Sequence, residues 1–234
     1  MKKAAPCRRM KLAESNLSDI AVSMDSRLES YFESLDPGMP EWLEQIRRES
    51  LEGGIPIIRE GTRRILSFFV RMTGADKILE VGTATGFSAL AMWEASGKKA
   101  HITTIEKYEK RIPIAKKNFM ECNASEYITL LEEDADDALA RLEGSFDIVF
   151  MDAAKAQYLQ WLPDVLRLLR KGGLLISDNI MHDGDILESR YAVRRRDRTI
   201  HSRMRDYLYE LTHRDDLNTL ILAEGDGTAV TVKL

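Results

Sequence analysis

Cysteine is almost absent from this chain of 234 residues. The two cysteines, Cys7 and Cys122, lie far apart and form neither a C-x-x-C pair nor part of a histidine cluster. This pattern favours two reduced thiols in a reducing compartment over a disulfide framework.

Long apolar runs are also missing. No stretch approaches the ~18 consecutive apolar residues of a membrane span, and no apolar run follows the basic N-terminus, as a secretory signal would require. The sequence therefore predicts a cytoplasmic protein with no membrane partner. A large excess of positive charge is lacking as well, because the formal net charge is −4. Any contact with nucleic acid must rest on a local basic patch.

The chain does contain enough apolar material for one core, with 44% hydrophobic and 31% charged residues. Residues 1–15 are basic and polar, which predicts a flexible segment. Residues 16–234 are predicted to form a single domain, with N-terminal helices over 16–75 and an α/β core over 76–234. The predicted helices are 17–35, 40–52, 60–72, 87–96, 108–122, 135–142, 156–169 and 190–213.

Short β-rich runs alternate with helices from residue 77 onward. The predicted strands are 77–81, 101–105, 127–131, 146–151, 173–177, 219–223 and 228–232. This alternation predicts a Rossmann-like α/β fold with a mostly parallel, seven-stranded sheet covered on both faces. The turn residues 225–227 predict a C-terminal hairpin, which makes one strand antiparallel.

A glycine-containing turn follows the first predicted strand. Gly82 and Gly86 would let the backbone approach a ligand at a helix N-terminus, where Ser88 could donate a hydrogen bond. Ala84 replaces the middle glycine of G-x-G-x-x-G, so the dinucleotide fingerprint is not met. An ordinary tight turn between strand and helix remains the alternative.

Acidic residues after the next two strands add to this pattern. Glu106 ends the second strand, where a carboxylate can accept both ribose hydroxyls of a nucleotide. That contact is common to NAD and S-adenosylmethionine and does not separate them. Asp134 and Ala135 follow the third strand, where an adenine amino group could be bound.

Oxygen-bearing side chains end the fourth and fifth strands. Asp152 closes one, and Asp178 with Asn179 closes the other, so a parallel sheet would bring them to one edge. Three hard oxygen donors suit Mg²⁺ or Ca²⁺ rather than zinc. Capping of strand ends is the alternative interpretation.

Lys155 lies three residues beyond Asp152 and could face the same site. A neighbouring cation favours the neutral amine, which would let Lys155 act as a general base. A surface lysine at a helix start is the alternative.

Taken together, Leu79–Ser88, Ile105-Glu106, Asp134-Ala135, Met151–Lys155 and Ser177–Asn179 resemble the cation-dependent O-methyltransferases of the catechol and caffeoyl-CoA type. The resemblance implies a class I methyltransferase fold, S-adenosylmethionine and a divalent cation such as Mg²⁺ as cofactors, and a homodimer. It implies Asp152 and Lys155 as catalytic residues, and a cation held by Asp152, Asp178 and Asn179. The cofactor pocket it implies is lined by Ile57, Glu80, Gly82, Ser88, Glu106, Asp134, Ala135 and Asp152.

The stretch 190–205 holds seven arginines and one acid, a local charge of +6. With Glu224–Gly227, it is similar to bacterial tRNA 5-hydroxyuridine O-methyltransferases, which make 5-methoxyuridine at the wobble position. The RNA-binding residues then expected, for an anticodon stem-loop, are Arg190, Arg194, Arg195, Arg196, Arg198 and Arg203.

Three alternatives remain open at this point. A catechol-like small-molecule O-methyltransferase would share all of the core residues. A non-catalytic RNA-binding protein is disfavoured by the intact oxygen donors and Lys155, and an NAD-dependent oxidoreductase by Ala84. A helix face with internal ion pairs is the alternative to RNA contact, for example Arg203 with Asp206.

Overall fold

The computed structural model describes Arg27, Tyr31 and residues 34–181, 184–223 and 226–234. The chain divides into two units, Met1–Pro40 and Glu41–Leu234. In the first unit, the Ser34 hydroxyl donates to the Tyr31 carbonyl at 2.6 Å. The predicted flexible segment 1–15 and most of the predicted helix 17–35 lie outside the described residues, and the proposed boundary at residue 16 stays a prediction.

The second unit alternates strands and helices as the sequence predicts. Its α-helices are α1 (Glu41–Glu52), α2 (Glu60–Thr73), α3 (Phe87–Ala95), α4 (Ile112–Glu121), α5 (Ala135–Arg141), α6 (Tyr158–Leu168) and α7 (Arg198–His213). Its strands are β1 (Lys77–Val81), β2 (His101–Ile105), β3 (Ile128–Leu131), β4 (Phe146–Met151), β5 (Leu169–Asp178), β6 (Leu217–Leu222) and β7 (Thr228–Lys233). Short 3₁₀ helices cover Lys155–Gln157 and Asp185–Leu187. No helix in the described part of the chain is long and apolar enough to cross a membrane.

The seven strands form one sheet in the order β3-β2-β1-β4-β5-β7-β6. The first five are parallel, whereas β7 runs antiparallel to both β5 and β6. The Rossmann-like, mostly parallel sheet with an antiparallel C-terminal hairpin is thus confirmed. The parallel order brings the carboxyl ends of β1, β2, β4 and β5 to one edge, where ligands bind in such folds.

The side chains of each strand point alternately to the two faces of the sheet, so both faces present residues that helices can cover. Leu79 and Val81 belong to a buried apolar cluster shared with α5, α6 and α7. Glu80 points to the opposite face, where it is hydrogen-bonded to Ser88 of α3. Helices α1 and α2 pack on α3. The sheet edge that carries the predicted site is therefore held rigidly from both sides.

Helix α4 and strand β5 each begin four residues away from the predicted start. Helix α4 starts at Ile112 rather than 108, because Tyr108 is drawn into a turn in which its amide donates to Glu106 Oε1 at 2.9 Å. Strand β5 starts at Leu169 rather than 173, and Arg170 in this extension donates to Asp147 Oδ1 at 2.6 Å. Both changes come from contacts between segments distant in sequence or from turn chemistry that periodicity does not show.

The predicted charged helix 190–213 is shorter than expected. Helix α7 begins only at Arg198, whose guanidinium donates to the carbonyls of Val193 at 3.1 Å and Tyr191 at 3.2 Å. Val193 is buried, with 3% of its surface exposed. Arg198 and Val193 thereby hold the preceding residues in turns, which explains why the basic stretch is divided between a loop and a helix.

Candidate active site

The turn after β1 is packed directly against the end of β4. Gly82 has a φ of +105°, and a Cβ built on it would lie 2.1 Å from the Asp152 carbonyl oxygen. The Asp152 amide in turn donates to the Val81 carbonyl at 3.0 Å. Glycine is required here by contact with β4, in addition to the ligand access expected from the sequence. The nucleotide turn and the predicted cation edge are therefore joined through their backbones.

Glu80 is fully buried behind this turn. Its Oε2 accepts from the Thr104 hydroxyl at 2.5 Å, and its carboxyl group is also hydrogen-bonded to Ser88. Its Oε1 has no hydrogen-bond partner among the described residues. Burial raises the pKa of Glu80 to about 8, and the hydrogen bonds from Ser88 and Thr104 only partly oppose this. Glu80 and Ser88 thus lie behind the cavity wall rather than on it.

A cavity of about 610 Å³ opens at the carboxyl ends of the strands. The predicted site residues that line it are Ile57, Gly82, Glu106, Asp134, Ala135, Asp152, Lys155 and Asn179. Glu106 accepts hydrogen bonds from the amides of Ala84 at 3.0 Å and Tyr108 at 2.9 Å, which fixes the carboxylate towards the cavity rim. Lys107 Nζ lies 2.7 Å from Asp134 Oδ2, and this ion pair lowers the pKa of Asp134. The cavity has the size and the polar rim of a nucleotide site.

The carboxyl groups of the buried Asp178 and the half-buried Asp152 influence each other at the other end of this edge. Burial, followed by the charge of Asp178, raises the pKa of Asp152 to about 7. Burial likewise raises the pKa of Asp178, only 1% of which is exposed. Asp178 Oδ1 accepts from the hydroxyls of Thr62 at 2.9 Å and Thr228 at 3.2 Å, while Oδ2 is buried with no hydrogen-bond partner in the described structure.

This arrangement fits a hard divalent cation. An unpartnered buried carboxylate oxygen next to a second carboxylate is costly unless a positive charge compensates it. Asn179, at a φ of +54°, adds an amide to the pair. No group of three or more His, Cys, Asp or Glu in the described chain is arranged to hold a metal. The candidate set is instead two carboxylates and one amide, which are oxygen ligands of the Mg²⁺ type.

Lys155 lies beside this set, in the 3₁₀ turn after β4. Its side chain is 23% exposed, and its Nζ is 3.9 Å from Asp226 Oδ2. The ammonium group lines the same cavity as Asp152 and Asn179. A base here could reach an acceptor bound at the cation edge.

The six arginines predicted to bind RNA divide into two groups. Arg198 and Arg203 donate to backbone carbonyls, and Arg203 reaches Ala156 at 3.0 Å. Arg196 lies 3.4 Å from Asp197. Arg190, Arg194 and Arg195 are exposed, and the described structure shows no ion pair for them. The predicted alternative of Arg203 pairing with Asp206 is not seen.

Solved proteins with a similar architecture include methyltransferases. The O-methyltransferase family model matches residues 33–234. The chain belongs to the O-methyltransferase family.

Curated relatives of this family member include catechol O-methyltransferases. That of Niastella koreensis is 32% identical over 143 residues, which cover 58% of this chain and 65% of the relative. That of Mycobacterium tuberculosis is 32% identical over 117 residues, covering 48% and 52%. The match thus spans about half to two thirds of the length of these relatives.

Solved structures extend the likeness to the whole fold. A presumed caffeoyl-CoA O-methyltransferase from Staphylococcus aureus has a TM-score of 0.78 at 26% identity, covering 91% of this chain and 100% of its own. The S-adenosylhomocysteine-bound methyltransferase of Podospora anserina has a TM-score of 0.80 at 22% identity, and both chains are covered completely. The class I methyltransferase fold is thereby established for this family member.

The sequence reasoning missed several residues of the site. Thr62 and Thr228 hold Asp178 from positions 116 residues before it and 50 residues after it. Arg111 lines the cavity, and its charge favours the ionised form of Asp152. Asp226 was noted only as part of a turn. No local sequence signal marks these residues, because each reaches the site through the fold.

Proposed function

We propose that this protein transfers the methyl group of S-adenosylmethionine to the 5-hydroxyl of 5-hydroxyuridine at the wobble position of tRNA, with the help of a divalent cation. Three features support the proposal at one sheet edge: a cavity of nucleotide size, two carboxylates with an amide, and Lys155. The observation that carries the cation-dependent methyl transfer is Asp178 Oδ2, which has no partner among the described residues and whose charge acts on Asp152, inside a member of the O-methyltransferase family.

Different residues of the chain would bind the methyl donor and activate the acceptor. Glu106 would accept the ribose hydroxyls, and the Asp134-Ala135 segment would adjoin the adenine, with Ile57 over the methionine portion. Asp152, Asp178 and Asn179 would hold the cation, which when bound acidifies the acceptor hydroxyl facing the electrophilic methyl group. Lys155 would take up the hydroxyl proton. Methyl transfer is an in-line displacement, so the rigid backing of both half-sites favours it.

A tRNA acceptor is supported by the surface next to Lys155. Arg203 joins α7 to the 3₁₀ turn of Lys155 through its bond to Ala156. The loop before α7 exposes Arg190, Arg194 and Arg195 together with Tyr191, which is 86% exposed. Cations attract the phosphates of an anticodon loop, and an exposed aromatic ring can stack on its unpaired bases. In 5-hydroxyuracil, O5 lies beside the O4 carbonyl, so the two oxygens can chelate a cation as a catechol does.

A second candidate is O-methylation of a small catechol. It is favoured by the catechol O-methyltransferases among the curated relatives. This enzyme would use the same donor and cation residues, but it would not need the exposed arginines.

The acceptor is tested with purified protein, methyl-labelled S-adenosylmethionine and Mg²⁺. We expect label to enter tRNA that carries 5-hydroxyuridine, to appear as 5-methoxyuridine in the nucleoside profile, and to be lost on chelation. tRNA lacking the hydroxyl is the matched control. Label in catechol but not in this tRNA would establish the second candidate, and undiminished activity under chelation would refute the role of the cation.

A further inference from the structure

Asp226 is a buried acid in the turn before β7, with 7% of its surface exposed. Its Oδ2 lies 3.5 Å from Asn179 Nδ2 and 3.9 Å from Lys155 Nζ. One carboxylate oxygen therefore faces both a proposed cation ligand and the proposed base. No role considered so far uses this contact.

The contact with Asn179 decides which end of its amide faces the cation edge. A carboxylate accepts hydrogen bonds and cannot donate them, so the amide nitrogen must point to Asp226. The amide oxygen then points the other way. Only that oxygen can bind a hard cation. A partner that orients a metal ligand in this manner commonly affects affinity strongly.

The contact with Lys155 sets the position of its side-chain nitrogen. A lysine side chain has several rotatable bonds and loses much rotamer freedom when it is ordered. The carboxylate of Asp226, 3.9 Å away, holds Lys155 Nζ on one side of the cavity and reduces this freedom. Lys155 is thereby held close to the cation ligands.

The backbone around Asp226 makes this contact rigid. The Met181 amide donates to the Asp226 carbonyl at 2.9 Å, and the Ile180 amide donates to the Gly227 carbonyl at 3.1 Å. Gly227 has a φ of +78°, and a Cβ on it would lie 2.5 Å from Met181 Cγ. The turn is thus pressed against the residues that directly follow Asn179.

We propose that Asp226 is a positioning residue, which turns the amide oxygen of Asn179 towards the cation and holds Lys155 beside the acceptor. The inference rests on the proposed function, since it takes Asn179 as a ligand and Lys155 as the base. It assigns to the turn before β7 a part in methyl transfer.

Two substitutions distinguish the contact of Asp226 with Asn179 from its contact with Lys155. Asp226→Asn keeps an oxygen that can accept from Asn179 but removes the charge facing Lys155. Asp226→Ala removes both. Asp216→Asn, at an exposed acid paired with Arg214, is the matched control for loss of one charge. Binding of Mn²⁺ is measured by electron paramagnetic resonance on protein saturated with S-adenosylhomocysteine, and turnover is measured on 5-hydroxyuridine tRNA.

We expect Asp226→Ala to weaken Mn²⁺ binding by about tenfold. Asp226→Asn should keep Mn²⁺ affinity within about twofold of the unchanged protein but lower kcat by about tenfold, with KM for the tRNA unchanged. Asp216→Asn should change neither quantity. A purely structural role would not produce this division between metal affinity and kcat, and Asp226→Asn gives an answer even where Asp226→Ala fails to fold.

The inference is overturned if Asp226→Ala binds Mn²⁺ normally or if Asp226→Asn keeps full kcat. Asp178→Asn serves as the reference for loss of the cation site. If Asp178→Asn and the unchanged protein bind Mn²⁺ equally, the proposed function itself fails. If only the Asp226 variants behave normally, the cation site stands and Asp226 has no part in it.

Discussion

Glu80 is a fully buried residue at which burial strongly opposes the charged form. Its carboxyl group has an ordinary pKa of 4.5, which burial raises to about 8. Between these pH values the folded, ligand-free protein retains a proton that the unfolded chain has lost. Because the folded state then binds more protons, its stability falls as the pH rises from about 4.5 towards 8. Below the lower value both states are protonated, and this contribution disappears.

Replacing Glu80 by glutamine removes this titration while keeping a hydrogen-bond acceptor for Thr104. We expect Glu80→Gln to raise the free energy of unfolding at pH 8 relative to the unchanged protein, by an amount on the order of a few kcal/mol. At pH 4.5 the two proteins should differ much less. Urea unfolding of the ligand-free proteins at both pH values measures the difference. Glu121→Gln, at an exposed glutamate, is the control, and equal pH slopes for all three proteins would contradict the assignment.

At the scale of elements, the loop before α7 carries the exposed arginines that would contact the proposed tRNA acceptor. We expect the triple variant Arg190→Gln, Arg194→Gln and Arg195→Gln to raise KM for tRNA about tenfold or more and to flatten its salt dependence by up to about three units of slope. The side chains are exposed, so folding should be preserved. Methyl-transfer kinetics at several salt concentrations measure both effects.

The control for this prediction replaces three exposed lysines elsewhere in the chain by glutamine, Lys99, Lys117 and Lys171. That variant should keep its KM for tRNA, and the arginine variant should keep any activity on catechol. An unchanged KM in the arginine variant would show that the loop does not contact RNA.

The element boundaries show which parts of the fold the sequence determines locally. Strands Lys77–Val81 and Phe146–Met151 have the predicted bounds, because each is an apolar run ended by polar turn residues. The start of α7 was predicted eight residues too early, at 190 instead of 198. The reason is that Arg198 donates backwards to two carbonyls, an interaction that has no periodicity.

The residues of the candidate site also divide into those that the local sequence predicts and those that it does not. Asp152, Lys155 and Asn179 could be found because polar residues directly after buried strands stand out from the pattern. Thr62 and Asp226 could not, because each comes from a different part of the chain and is an ordinary residue in its own segment. The polar residues at strand ends can therefore be predicted from the sequence, whereas the residues that orient their side chains are found only in the tertiary structure.

At the scale of the whole molecule, the homodimer stays a prediction. Phe68 and Met72 lie one turn apart on α2 and are 62% and 59% exposed. Apolar side chains exposed together commonly mark an interface between proteins. If α2 forms the dimer contact, Phe68→Glu should convert a dimer into a monomer in light scattering coupled to size-exclusion chromatography.

Leu220→Glu on β6 is the comparison, because this edge strand also exposes an apolar residue, at 56%. Dissociation by Leu220→Glu alone would place the contact on β6 instead. A monomer for the unchanged protein would exclude the dimer.

The two hydroxyls that hold Asp178 set an order of events during protein synthesis. Glu80, Glu106 and Ala135 leave the ribosome within a short interval, and the turn after β1 then packs on the end of β4 at Asp152. The carboxylate of Asp178 is fixed only when Thr228, made 50 residues later, pairs with it. The pocket residues up to Asp152 are therefore all made well before the cation edge is complete. A chain interrupted between Asp178 and Thr228 would contain the residues of the donor pocket but would lack one of the two hydroxyls that hold the proposed cation ligand.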